Sequence, residues 1–438
     1  MSTDRPATFW HSQVTLPDRP PLSGAVEADV AVIGGGFTGL SAAATLAEGG
    51  AKAVVVEAKS VAYSASGRNA GFVVPNFSKA DPAQVLAKLG EARGKRLLAL
   101  VGGAADRVFD LARQAGLGDL AEQNGWLQPA HSPEMAVKVR ARVEAWAALG
   151  RPVEWLDPAE TERRTGIGIY HGALRDASGG MINPVAHAAA LANRAEAAGA
   201  AIHEGTPASA VTRQGADWLV TTPRGQVKAR RVLLCTNAAD EGAAKALGRT
   251  VIPLNVYQIA TDPLPGAVIA RFSPHREPVS DTRNNIFTYR LTSDDRLISG
   301  GMAIFPGAGA EARMAKRIAA RLQAELGLDL PLRAAFCWRG TAAVTTDFLP
   351  HLVQFGEGYV GATACNGRGV AMTTVLGEAL GAAILENRPL DDLPVPLAPP
   401  APVPAPFLAR WAPSLFLIQG DRADRRAIRK TREIRAGA

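Results

Sequence analysis

Three glycines, Gly34, Gly36 and Gly39, fall in the spacing G-x-G-x-x-G, and an acid, Glu57, stands 21 residues after Gly36. Residues of these types in this pattern can hold a dinucleotide. Gly34 permits a tight turn, Gly36 lets the backbone close on a pyrophosphate, and Gly39 lets a helix pack tightly on the preceding strand. The N–H groups at the start of such a helix favour negative charge. Glu57 would accept hydrogen bonds from adenosine ribose hydroxyls, which disfavours a 2′-phosphate; by itself this unit admits NAD and FAD equally. Downstream, Ser66-Gly-Arg-Asn-Ala-Gly-Phe72 is a second small-residue loop. Its Arg68 could offset phosphate charge or hold a substrate anion.

The elements around these residues fit that use. The run 29–33 (Asp-Val-Ala-Val-Ile) reads as a strand, 40–46 as a helix, and Gly49 with Gly50 as its end. The run 53–57 is apolar on both faces, the pattern of a buried parallel strand, so the three make a βαβ unit. Further helices are expected over 82–89, 94–115, 137–148, 185–198 and 370–385, with short strands at 125–128 and 153–156. A hairpin turning at 223–225 leads into a core strand at 231–235, and 251–302 is mainly β, with strands at 286–291 and 296–300. Seven prolines between Pro394 and Pro406 predict an extended arm, and 421–435 a basic helix. There is no internal repeat.

Composition excludes other classes. The chain has 438 residues, 47% hydrophobic and 20% charged, which rules out disorder, coiled coil and collagen. The formal net charge is +7, and residues 421–438 hold seven basic and three acidic residues, over half of the excess. Such interleaved charge reads as a solvated helix docking on its own protein, so neither nucleic acid nor a membrane surface is expected as a partner. Cys235, Cys337 and Cys365 lie far apart, and reduced thiols and a cytoplasmic setting are expected. Cys365 reads as a small buried filler. The seven histidines show no ligand spacing, and no metal is expected. Residues 1–20 lack the apolar segment of a signal peptide, and the most apolar windows, 30–46 and 360–385, are broken by glycines and acids, so no membrane span is expected. No feature assigns an oligomeric state.

Four segments in order, Asp29 to Leu40, Ala65 to Phe72, Cys235-Thr-Asn-Ala238 and Asn366-Gly-Arg-Gly-Val370, resemble the FAD-dependent D-amino-acid oxidase and sarcosine oxidase superfamily. Within it the chain is most similar to the gamma-glutamylputrescine oxidoreductase group, which shares the Ser-Gly-Arg-Asn run and a tryptophan near the N-terminus, here Trp10. The resemblance covers residues 8–390. It implies an α/β fold: a discontinuous Rossmann-like FAD-binding domain (24–80, 177–243 and 338–390) and a mainly antiparallel β-sheet substrate domain with helices (81–176 and 244–337). Residues 391–438 follow as the proline arm and basic helix.

The resemblance carries cofactor-binding roles to Gly34, Gly36, Phe37, Thr38 and Gly39, to Glu57 and Ala58, and to Ser66, Gly67, Arg68 and Asn69. It does so also for Val211, whose backbone would meet the adenine, for Thr236 and Asn237, and for Gly367, Arg368, Gly369 and Val370 at the pyrimidine side of the flavin. Catalytic roles would fall on Tyr289, Arg68 and Tyr257, with Phe72, Tyr257 and Tyr289 as an aromatic wall. Arg290, on the opposite face from Tyr289, is expected in solvent or an ion pair, and Trp338 in a structural role. The implied reaction takes two electrons from a primary or secondary small-molecule amine to give an imine and then an aldehyde. O2, reduced to H2O2, or another electron acceptor would follow. Compared with sarcosine oxidase, the oxygen-activating lysine falls at Ile298, the active-site histidine at Met302 and the carboxylate-binding lysine at Ala371. No cysteine stands where the flavin is tethered there, so FAD is expected to bind non-covalently.

Overall fold

A computed structural model describes residues 5–303, 307–363, 366–404 and 412–436. Its first unit is strand Gly24–Ile33, helix Phe37–Glu48 and strand Ala53–Val56, with Val30 to Ile33 paired in parallel to Ala53 to Val56. Both faces of these strands are buried, which is why they lack alternation: Val30, Val32 and Val55 join one core cluster, and Ala31, Ile33, Val54 and Val56 join another. The sheet that grows from them has nine strands. From one edge these are Leu397–Ala398, His351–Gly356, Tyr359–Thr363, Gly225–Leu234, Gly24–Ile33, Ala53–Val56 and Ala201–His203. The hairpin Ala210–Gln214 and Asp217–Thr221 attaches to Gly225–Leu234. The edge strand Leu397–Ala398 comes from the proline arm, so that segment contributes to the sheet.

A second, mostly antiparallel sheet of eight strands runs Ala334–Val344, Ile252–Pro263, Arg296–Gly301, Thr288–Leu291, Val279–Ser280, Trp126–Pro129, Ala173–Asp176 and Val153–Leu156. Ala334–Val344 crosses the 337/338 division expected from the sequence, because it pairs from end to end with Ile252 to Thr261. Pro82–Gly102 breaks at Gly90, at φ 74°, so its first part is the helix expected over 82–89; the helix expected over 94–115 is divided between its second part and Ala104–Gln114. Ala104–Gln114 buries its apolar face in the cluster that holds the first βαβ unit. The C-terminal helix starts earlier than its charge pattern suggests, at Ala412, and runs to Ala436.

Helix Gly369–Leu385 lies against Phe37–Glu48, and two glycines allow it. A Cβ on Gly377 would stand 2.3 Å from the Thr38 carbonyl oxygen, and one on Gly381 would stand 2.8 Å from Thr45 Cβ. Gly377 faces Thr38 and Gly381 faces Thr45, so the helices run parallel. The second begins eight residues before Gly377 and the first one residue before Thr38, so the two starts are offset by seven residues at that contact and by four at the contact of Gly381 with Thr45, ~6–10 Å at ~1.5 Å per residue.

Candidate active site between the two sheets

The glycine turn has no room for side chains. A Cβ on Gly39 would lie 2.1 Å from the Gly34 carbonyl oxygen, and Gly34, at φ 115°, would push one to 2.6 Å from the Cys235 carbonyl oxygen. At Gly36 the nearest atom would be Ser66 Oγ, at 2.8 Å. Backbone can therefore approach a ligand here as a pyrophosphate requires. Glu57 braces the turn: its Oε2 accepts from Gly35 N–H at 2.6 Å and its Oε1 from Lys59 N–H at 2.9 Å. Burial raises the carboxyl above its usual range, and the N–H groups of Lys59, Gly35 and Ala58 oppose that. Ala58 itself is exposed. Thr236 keeps a buried hydroxyl without a partner beside the turn, among the described residues, as a site awaiting a polar ligand would.

The second loop is held as a fixed wall. Ser66 Oγ accepts from Phe37 N–H, and a Cβ on Gly67 would sit 1.9 Å from the Ala62 carbonyl oxygen. Asn69 donates to the carbonyls of Ala65 and Ser66 and accepts from Gly71 N–H. Trp10 and Trp338 clamp the loop from outside, their indole N–H groups donating to the carbonyls of Asn69 and Arg68 at 2.8 and 3.0 Å. Arg68 donates to the carbonyls of Tyr63 and Arg339 and stacks on the Tyr63 ring, which makes it a stitch between the loop and the Ala334–Val344 strand. Arg290 corrects an expectation. It is buried rather than solvated or ion-paired, donating to the carbonyls of Ala70, Gly71 and Ile182 with its guanidinium over the Trp10 ring. Burial lowers its pKa to about 9.

A cavity of about 930 Å³ opens between the sheets. Gly36, Phe37, Thr38, Ser66, Arg68 and Asn69 line one side, with Asn237 and Gly367, Arg368, Gly369 and Val370. Both helix starts thus reach the same space, with their ~6–10 Å offset between them. Gly34, Gly39, Glu57, Gly67 and Thr236 support this lining from behind. Val211 lies apart, on the outer hairpin opposite Val220. Asn237 takes a positive φ of 53° and donates to the Thr341 carbonyl.

The other side is the antiparallel sheet, and strand parity decides which residues face in. Along Ile252–Pro263 the lining positions are Ile252, Leu254, Val256 and Gln258. Tyr257 therefore points away into the second core and not into the cavity, where the expected catalytic role would need it. Thr288 lines the cavity, which turns Tyr289 away as well. Tyr289 is fully buried and donates its hydroxyl to the Thr165 carbonyl at 3.1 Å, a packing role in place of the expected catalytic one. Of the expected aromatic wall only Phe72 lines the cavity; Phe348 and, from the C-terminal helix, Phe416 join it.

The sequence reading missed Gln258, Lys79, Gln128 and Arg142, all in the lining. One signal was present: Gln258 is a lone amide in an otherwise apolar run, 256–260. It is 7% exposed, and its Oε1 has no partner among the described residues. Gly300 makes room for that amide, since a Cβ there would meet it at 2.6 Å. Met302 lines the cavity, whereas Ile298 and Ala371 are buried in the core. Burial pushes the Cys235 thiol up to about 12 and the Cys337 thiol to about 11, so neither is a ready nucleophile at neutral pH. Cys365 lies outside the described residues. Among the described residues no group of three or more His, Cys, Asp or Glu is placed to hold a metal, and no helix is long and apolar enough to cross a membrane.

Comparison with known proteins agrees with this geometry. The family model of FAD dependent oxidoreductases, DAO, matches residues 29–383. A probable oxidoreductase OrdL of Rhizobium meliloti is 28% identical over 383 residues, covering 85% of this chain and 87% of that protein. The gamma-glutamylputrescine oxidoreductase of Escherichia coli is 27% identical over 363 residues, covering 82% and 84%. Among solved structures, glycine oxidase from Geobacillus kaustophilus superposes with a TM-score of 0.66 at 21% identity, over 87% of this chain and 98% of that one. That likeness establishes the fold. A tight glycine turn braced by an acid, a second helix start offset along a shared cavity and a family match over most of the chain lead to one assignment: the protein belongs to the DAO family of FAD-dependent oxidoreductases.

Proposed function

We propose that the enzyme oxidises the carbon–nitrogen bond of a primary or secondary amine, with FAD bound non-covalently and O2 as electron acceptor. In net terms CH–NH becomes C=N as O2 becomes H2O2, and water then splits the imine into a carbonyl compound and a free amine. When bound, FAD supplies the two-electron acceptor for hydrogen on carbon next to nitrogen. Gly36, Phe37 and Thr38 would hold its pyrophosphate, and the start of Gly369–Leu385 its pyrimidine edge, where helix N–H groups favour negative charge.

The observation that carries the reading is the cavity itself, nucleotide-binding on one side and largely apolar on the other. Ile252, Leu254, Val256 and Met302 exclude water and favour the neutral amine over its ammonium form, the form whose carbon can release hydride. Gln258 would orient the amine by accepting its N–H on the unpartnered Oε1. No histidine lines the cavity among the described residues, and hydride removal from a neutral amine needs no protein base.

The test is an amine screen. Yellow protein that releases FAD on denaturation and is bleached anaerobically by an amine, with one H2O2 and one aldehyde or ketone formed per amine in air, supports the reading. Yellow protein that no primary or secondary amine bleaches overturns it. Bleaching that artificial acceptors reverse and oxygen does not overturns the choice of acceptor.

A further inference from the structure

One stretch of the cavity wall has no regular structure to hold it. Every residue from 281 to 286 lines the cavity, in the irregular link between the strands Val279–Ser280 and Thr288–Leu291. Its base is closed from within, as Asp281 Oδ1 accepts from the N–H groups of Arg283 and Phe287. Its tip is held from outside. The backbone N–H groups of Asn284 and Asn285 donate to Asp424 of the C-terminal helix at 3.1 and 2.9 Å, and the Asn284 amide adds a third bond at 2.9 Å. Arg321, from helix Ala310–Glu325, donates to the carbonyls of Asn285 and Ile286. Asp424 is 3% exposed, and among the described residues the one basic side chain within 4 Å of it is His131, at 3.8 Å. A carboxylate is costly to bury, so the three N–H donors hold it in place and it holds them in turn.

The same stripe of that helix meets the cavity. Phe416, Gly420 and Asp424 follow one another at four-residue spacing along Ala412–Ala436 and so share a face. Gly420 seats the helix on the segment: a Cβ there would stand 2.5 Å from Asn284 Cβ. A glycine weakens a helix interior, and the close approach is what it permits here. Phe416, one turn earlier, is 51% exposed and lines the cavity. The segment also stands near the reacting end. Gln258 pairs with Gly300 and lays its amide over it, while the pairing of Arg290 with Ile298 brings Thr288 to the other side of Gly300. Thr288, directly after the segment, is therefore two strand spacings, ~10 Å, from Gln258. Groups attached to a nitrogen held by Gln258 reach that wall.

We propose that Asp424 is a positioning residue for the substrate wall: by fixing the tip of 281–287 from the C-terminal helix it sets, together with Phe416, the size of amine that the cavity accepts. Asp424 does not itself line the cavity and acts through Thr282, Asn284 and Ile286, which do. The selection of amines rests on the amine-oxidising reading, whereas the docking of the segment does not.

The test uses flavin-loaded, full-length enzyme carrying Asp424→Ala, Gly420→Ala or Phe416→Ala. Amide hydrogen exchange read by mass spectrometry should quicken about ten-fold or more in the peptide spanning 281–287 in Asp424→Ala and Gly420→Ala, while the peptide of the glycine turn keeps its rate. In anaerobic rapid mixing, Asp424→Ala should raise the dissociation constant of the best amine about ten-fold and leave the limiting rate of flavin bleaching within about three-fold. The preference in kcat/KM for that amine over its homologue one methylene longer should fall about five-fold or more, since a methylene at a firm wall is worth ~10–200-fold. Asp424→Asn, which keeps one acceptor oxygen, should give intermediate values. A merely structural role would slow both amines alike, so an unchanged preference overturns the proposal. Phe416→Ala, at a half-exposed side chain, should lower the same preference and keeps the test valid if the other variants do not fold; no shift there overturns the role of the helix. Exchange unchanged in an Asp424→Ala enzyme that amines still bleach would sink this proposal alone. Faster exchange in an enzyme that no amine bleaches would sink the oxidase reading alone.

Discussion

The contact between Gly377 and Thr38 offers a quantitative test of how the cofactor site is set. In Gly377→Ala the new Cβ would stand 2.3 Å from the Thr38 carbonyl oxygen, 2.8 Å from Ser41 Cβ and 3.1 Å from Ala42 N, where ordinary contact begins at 3.4 Å. The obstacle is helix backbone, which cannot rotate aside as a side chain can, so the helices must part by about 1 Å. Overpacking of this kind costs ~1–3 kcal/mol, and the higher helix propensity of alanine returns ~1 kcal/mol. A net loss of up to ~2 kcal/mol follows. Cofactor affinity should suffer more than global stability, because Thr38 belongs to the first turn of Phe37–Glu48, whose Phe37 and Thr38 line the cavity. The expected outcome is a lower melting temperature by circular dichroism and at least ten-fold weaker FAD binding, measured by equilibrium dialysis of stripped protein. A variant as stable as wild type with full flavin affinity would show that the two helix starts are not locked together, and the offset argument for the cofactor would fall.

Three further outcomes follow from the same geometry. Tyr289→Phe should lose ~1 kcal/mol of stability with the bond to Thr165, while turnover with the best amine stays within about two-fold; a large drop in kcat in folded protein would restore a catalytic role. Glu57→Gln removes the charge that accepts from Gly35 and Lys59 and should weaken FAD binding about ten-fold or more, and unchanged affinity by dialysis would remove Glu57 from the site. His187 is fully buried, and burial lowers its pKa from 6.5 to about 4. The unfolded chain then binds the extra proton first, so the stability contributed by neutral His187 is complete above pH 6.5. It is lost as pH falls toward 4, by about 3 kcal/mol in all. Denaturant titrations of wild type and His187→Gln from pH 7 to 4 should converge as pH falls, and parallel curves would contradict this.

Most of the nucleotide half was legible because its constraints are local. Gly34, Gly36, Gly39 and Glu57 act within one βαβ unit, where turn conformation, close approach and strand-end chemistry leave few residue choices. The cover was legible only as β structure, because facing depends on register. A strand shows which residues share a face and not which face meets the cavity, and that single binary choice reversed the roles of Tyr289 and Arg290. Tyr257 fell to the same ambiguity. Lys79 and Arg142 carried no local signature: an arginine on the cavity side of helix Pro133–Ala147 reads as a solvated one until the strand Trp126–Pro129 is seen beside it.

The buried position of Arg290 bears on how specificity is divided along the chain. Its three carbonyl partners, Ala70, Gly71 and Ile182, belong to the second loop and the strand Gly180–Ile182, and its guanidinium lies over the Trp10 ring. A cation placed there ties the substrate sheet to the loop that walls the cofactor, so the gap between the halves is fixed before any ligand enters. What remains adjustable is the rim. The segment 281–287 supplies Thr282, Asn284 and Ile286 to the cavity, and it is docked by Asp424, which accepts from the backbone N–H groups of Asn284 and Asn285. Asp424 and the cavity-lining Phe416 both lie beyond residue 383, where the match to the family model ends.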